Sequence, residues 1–241
     1  MKAQVELFFI PRRVVVVKII INYRRLSCIF ELARRLHLAG NGTVFRYKPP
    51  DGGDVMSTNL DYEINKELGE CYLFMGELDK AEDYYKKAIG SNGVHADPYL
   101  GMATIAVQRG ELDKALTLYQ KAASIEESDK PLAGMALVEM EIGREEAAFE
   151  HMIKALEKNP ENMVAIFGLI RLAHTLGRLD TVVPHLENYL QLDPMKNEIR
   201  YSLAGCLICL GRNAEAKNHL ARILENDPDN AQAKELMSQA A

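Results

Sequence analysis

Two cysteines three positions apart, in Cys206-Leu-Ile-Cys209, are the first arrangement in this chain that could do chemistry. Such a pair exchanges thiols for disulfides when it opens a helix behind a strand, where the helix dipole lowers a thiol pKa. With a second pair it would hold zinc. Here it lies inside a helical pattern, with no strand–helix–strand signal around it and no second pair in the chain. It therefore reads as two small buried thiols packing in a core, and Cys71 as a core filler of the same kind. The six histidines, His37, His95, His151, His174, His185 and His219, are scattered. No GxxxxGK[ST], GxGxxG or HExxH motif occurs. The acidic run EMEIGREEAAFE (139–150) reads as a solvated helix face with i,i+4 pairing, because no second polar group converges on it by motif. The expectation is a protein that is not an enzyme, with no catalytic residue, metal or cofactor.

Charge narrows the partners. The net charge is −5 over 241 residues. Residues 1–55 hold ten Lys+Arg and four Asp+Glu, a balance of +6, so residues 56–241 hold nineteen and thirty, a balance of −11. An acidic body repels phosphate backbones, which argues against a nucleic-acid partner. The chain has no Trp and 7% aromatic residues, and it is rich in Ala, Leu, Glu and Lys, which favour helix. Four cysteines are too few to staple a chain of this length and point to reduced thiols in a cytoplasmic setting.

The elements that would position any site repeat along the chain. Gly76, Gly110, Gly143, Gly177 and Gly211 are spaced by 34, 33, 34 and 34 residues. Five residues after each stands Ala81, Ala115, Ala148, Val182 or Ala216; seven before each stands Gly69, Ala103, Ala136, Ile170 or Ala204. The residue ahead of that is Leu68, Met102, Met135, Leu169 or Leu203. Small residues in mid-helix let two helices approach closely. Glycine reaches the left-handed conformation that ends a helix. Pro160, Pro194 and Pro228 then stop the second helix of the last three units.

In these columns the chain resembles the tetratricopeptide-repeat (TPR) family, in a bacterial-type form. LGECYLFMGELDKAEDYYKKAI (68–89) carries the family's Leu-Gly, Tyr, Gly, Ala, Tyr and Ala positions in register. The segments 109–123, 142–162 and 210–230 repeat its second half. The large aromatic expected early in each first helix is replaced by Asn65, Leu132, Ile166 and Arg200, and only Tyr99 matches in type. The fourth unit departs most, with Val182 at a small position and Pro184 in the first turn of its second helix. The resemblance implies an all-α fold: a right-handed superhelical solenoid of about five helix-turn-helix repeats over residues 56–230. Residues 229–241 would form a polar-faced C-terminal capping helix, since an open solenoid end exposes apolar surface.

The resemblance also implies where a partner would sit. In TPR proteins a stripe spaced i, i+4, i+7 on each first helix lines the concave groove. Here it falls on Lys66, Glu70 and Leu73; Leu100, Thr104 and Val107; Ala133, Leu137 and Met140; Phe167, Arg171 and His174; and Tyr201, Gly205 and Ile208. Eight of the twelve positions in units two to five are apolar or aromatic, more than a solvated face requires. The functional expectation is a protein-binding scaffold or adaptor, taking an amphipathic helix or extended apolar segment with an acidic group near Arg171 and His174. The bland alternative is that these residues touch neighbouring helices or an amino-terminal segment folded into the groove. Some TPR proteins clamp a partner's carboxyl terminus; the matching positions here are Lys66, Glu70, Gly101, Lys130 and Gly134, and Glu70 would repel it.

Residues 1–55 form a separate, basic, non-repeat segment. VVVVKIII (14–21) is far short of the about 20 apolar residues that span a membrane. One reading makes 1–55 a misassigned extension, with Met56 as the start and Ser57 or Thr58 capping the first helix. Gly52-Gly53-Asp54 can be encoded by a run that spells a ribosome-binding sequence just upstream. The other makes residues 12–39 a basic membrane-surface anchor of an assembly or secretion factor.

Overall fold

In a computed structural model of the chain, the five periodic glycines all take the left-handed backbone conformation, with φ between 69° and 78°. The structure describes residues 54–240. The basic segment, including Cys28 and residues 12–39, lies outside the described residues apart from the start of the first helix.

Eleven α-helices form among the described residues. They are α1 (Asp54–Phe74), α2 (Leu78–Ser91), α3 (Asp97–Gln108), α4 (Leu112–Ile125), α5 (Asp129–Glu141), α6 (Glu145–Lys158), α7 (Met163–Leu176), α8 (Val183–Leu192), α9 (Asn197–Cys209), α10 (Asn213–Asn226) and α11 (Ala231–Gln239). Ser57 and Thr58 fall inside α1 rather than capping it, because no breaker stands between Asp54 and Met56 and the helix begins just after Gly52-Gly53.

One turn is built five times. The residue after each glycine donates its amide to a carbonyl five positions back: Glu77 to Tyr72 at 2.9 Å, Glu111 to Ala106 at 2.8 Å, Arg144 to Glu139 at 2.7 Å, Arg178 to Ala173 at 2.7 Å and Arg212 to Leu207 at 2.8 Å. That bond satisfies a carbonyl the helix end would otherwise orphan, and it requires a positive φ at the glycine. Each hairpin therefore turns at the same place.

The small-residue columns close the hairpins. Ala81, Ala115, Ala148, Ala216, Ala103, Ala136 and Ala204 are all fully buried. Ile170 is the exception, half-buried on α7 where the others place Ala or Gly. The fourth hairpin is irregular beyond it too: a 3-10 turn over Leu179–Thr181 precedes α8, and Pro184 sits in the first turn of α8, where its missing N–H breaks no ladder. A continuous core runs from α3 to α11, and a smaller cluster gathers Ala81, Tyr85 and Ile105. α11 covers the last hairpin with Ala233 and Leu236, and Asn230 caps it by accepting the Ala233 amide at 2.9 Å.

Successive hairpins lock through a large side chain nine residues after one glycine and a small residue nine before the next. A Cβ built on Gly101 would overlap the Tyr85 ring, which meets Gly69 of its own hairpin from the other side at 2.8 Å. The same holds for Gly134 against Tyr119 and for Gly168 against Met152. Only an absent side chain leaves room for these groups, so the first four hairpins are spaced by the Tyr85 and Tyr119 rings and the Met152 thioether against bare backbone.

Polar ties add to this between hairpins. Arg109 pairs with Asp79 and Glu82 on α2. Arg178 meets Glu146 at 2.8 Å and lies 5.4 Å over the Phe149 ring. Asp129 accepts hydrogen bonds from Asn159 at 3.0 Å and Asn162 at 2.6 Å.

Candidate functional site

The periodic stripe lies on the first helices, α1, α3, α5, α7 and α9, and its residues differ in how much they offer a partner. Leu100, Val107, Leu137, Met140, Tyr201 and Ile208 are half-buried and pack against the core on their inner sides. Ala133 is buried outright. Phe167 is 39% exposed, and Arg171 and His174 beside it on α7 are exposed. The Arg171 guanidinium reaches the Met140 sulfur at 3.6 Å, which joins the stripe of α5 to that of α7. Phe167, Arg171, His174 and Met140 thus form one accessible patch with an apolar body and a basic edge.

Two stripe positions are already engaged locally. The Lys66 ammonium, its side chain 14% exposed, donates to Glu63 at 2.7 Å and lies 3.8 Å from Glu67. The Thr104 hydroxyl donates to the Leu100 carbonyl at 3.0 Å. Gly101 and Gly134, which stand at clamp positions in the resemblance, are instead the seats of the Tyr85 and Tyr119 rings. Gly205 differs from them, because a Cβ there meets nothing within 4 Å. Gly205→Ala is therefore expected to stabilise the protein by about 0.5–1 kcal/mol through helix propensity alone. Urea denaturation reads this directly, and a destabilised variant would show that α9 is closed off at this point.

Three sequence-based expectations need correction. Glu139 does not lie on a solvated face: it is 6% exposed and meets His151 Nδ1 at 2.7 Å across the α5–α6 seam. It sits four residues before Gly143, where the other units bury Ala106, Ala173 and Leu207. Second, Cys206 is buried but Cys209 is exposed, because Cys209 is the last residue of α9, where the helix emerges from cover. Burial pushes the Cys206 thiol up to about 12, and the partial desolvation that remains at the end of α9 raises Cys209 as well. Both shifts run opposite to what a reactive redox pair needs. Third, Cys71 is only half-buried and its thiol is raised by desolvation.

Arg200 stands out in the sequence only as a departure from the aromatic column, not as a site residue. At 6% exposure it is one of two buried charged residues among those described, at the position where Tyr99, Leu132 and Ile166 stand in other units. Its signal was legible as a charge in an apolar column. Among the described residues no group of His, Cys, Asp and Glu is arranged to hold a metal, and no helix is long and apolar enough to cross a membrane.

Comparison with known proteins agrees with this geometry. Two family models, both described as tetratricopeptide repeat, match residues 66–130 and 176–240, together just over half of the chain. The chain belongs to the tetratricopeptide-repeat family. It is 32% identical over 124 residues to the BBSome complex member BBS4 of Bos taurus, which covers 51% of this chain but 24% of that protein. Among solved structures it is similar to pilF of Pseudomonas aeruginosa, with a TM-score of 0.61, 19% identity, and coverage of 77% of this chain and 85% of that one. It is also similar to YrrB, described as a TPR protein with an unusual peptide-binding site, with a TM-score of 0.54, 18% identity, and coverage of 77% and 100%.

Proposed function

We propose that this chain is a non-enzymatic protein-interaction scaffold that holds a partner segment against its first helices. The observation that carries the reading is the Met140–Phe167–Arg171–His174 patch. A phenyl ring 39% exposed beside the exposed Arg171 and His174 offers a protein segment apolar area and charge together. The half-buried Leu100, Val107, Leu137, Tyr201 and Ile208 extend the same apolar character along neighbouring first helices. An amphipathic helix or extended apolar stretch with an acidic group beside Arg171 matches that surface. A prebuilt helical stack also loses little freedom on binding. Membership of the TPR family and similarity to a protein described as having a peptide-binding site point the same way.

The test compares two faces. Phe167→Ala combined with Arg171→Ala removes the patch while touching exposed side chains only. Partners retained by the unaltered chain are expected to bind this variant about tenfold or more weakly, as truncation of an interface hot spot does. Lys217→Ala, an exposed position on α10, should leave capture unchanged. Equal retention of every partner by both variants would remove the first-helix face from consideration.

A further inference from the structure

A second site lies away from the stripe, between the second helices of the last two hairpins. Glu187, Leu190 and Gln191 of α8, Pro194 in the following turn, Arg200 of α9, and His219 and Arg222 of α10 line an open pocket of about 340 Å³. Its polar lining is unfinished. Among the described residues three buried side-chain atoms lack a hydrogen-bond partner, and two of them, Arg200 Nε and His219 Nδ1, belong to side chains that line this pocket, although both atoms are themselves covered. Arg200 spends one Nη on the Pro194 carbonyl. No carboxylate of the described residues lies within ion-pairing distance of Arg200 or Arg222. Glu187, which also lines the pocket, and Glu215, engaged with Arg212 at 2.7 Å, are the acidic groups facing His219.

This is an expensive arrangement for an empty protein. A buried cation ordinarily has a counter-ion, and Arg200 instead faces a second arginine. Burial, and then Arg222, work against its charge. Burial, followed by Arg200 and Arg222, holds the His219 imidazole below its usual range, so the ring is neutral near pH 7. In three other units the column of Arg200 holds Tyr99, Leu132 or Ile166, so the fold itself does not ask for a charge there.

We propose that Arg200, His219 and Arg222 form a binding pocket for a small phosphomonoester. Two guanidinium groups balance a phosphate dianion, and their N–H groups suit its oxygens better than they suit a single carboxylate. His219 lines the same wall, with its Nδ1 covered rather than open to a ligand. The volume exceeds what a bare phosphate fills and falls at the small end of the range for organic ligands. Leu190 and Pro194 give the organic body an apolar wall.

The probes are O-phosphoserine, inorganic phosphate, serine and acetate, added to the full chain at constant ionic strength while the melting temperature is followed. O-phosphoserine is expected to raise it saturably, inorganic phosphate less, and serine and acetate not at all. Arg222→Ala, at an exposed position, should weaken the O-phosphoserine response by about tenfold or more. Arg200→Leu should melt higher than the unaltered chain without ligand and lose the response, since it removes a buried unpaired charge. Should Arg200→Leu fail to fold, Arg222→Ala carries the comparison. Acetate acting as strongly as O-phosphoserine, no response to either phosphate, or a response that survives Arg222→Ala would each overturn the proposal.

Discussion

Gly134→Val is expected to lower stability by about 3 kcal/mol, at the upper end of what overpacking usually costs. The reason is the Tyr119 ring, which occupies the space a side chain at Gly134 would need. Tyr119 is 7% exposed and belongs to the continuous core, so the ring has nowhere to turn. The same substitution at Gly168 should cost less, because the obstructing group there is the flexible thioether end of Met152. A melting shift of roughly 6–12 °C follows from the usual slope for domains of this size. The decisive measurement is a double-mutant cycle. Tyr119→Leu with Gly134→Val should be more stable than the two separate losses sum to, with a coupling of about 1 kcal/mol or more. Simple additivity, or a Gly134→Val protein as stable as the original, would mean the hairpins are not spaced by the ring.

Ala148→Arg should be more damaging still, by about 4 kcal/mol or more. Ala148 is fully buried on α6 in the column that closes the third hairpin. An arginine there must push apart two helices or carry its charge into the core without a partner. Because each hairpin is stabilised chiefly by its neighbours, the loss should uncouple the stack into separate unfolding steps rather than lower one transition uniformly. Glu150→Arg, exposed two residues further along the same helix, is the control, expected within about 0.5 kcal/mol of the original. Chemical denaturation followed by circular dichroism separates the outcomes. A single unshifted transition for Ala148→Arg would contradict the packing described for α5 and α6.

These two substitutions also mark how far the amino-acid order reaches. The period of 33–34 residues, the glycines that end each first helix and the alanines that close each hairpin were all readable without coordinates, because each answers a local demand. A positive φ asks for glycine, and a close helix crossing asks for a small side chain. Even the irregular fourth hairpin was foreshadowed by Val182 and Pro184. The glycines at 101, 134 and 168 share that periodicity, but their partners lie on the preceding hairpin, and nothing in the local pattern says which ring faces which backbone.

The charged residues divide the same way. Acidic residues in a helical run are usually solvated, and composition gave no reason to single out Glu139, which the α5–α6 seam buries against His151. Cys206 and Cys209 share a motif, yet only one is covered, because the end of α9 leaves its neighbours behind. Arg200, His219 and Arg222 come from two helices and meet only when α8, α9 and α10 pack. The chain's own order thus determined the helices, their turns and the hairpin as a unit, since those depend on residues within one or two helical turns of each other. Tertiary packing alone decided which polar groups lost their water and which were left without a partner, since desolvation is a property of everything that surrounds a side chain.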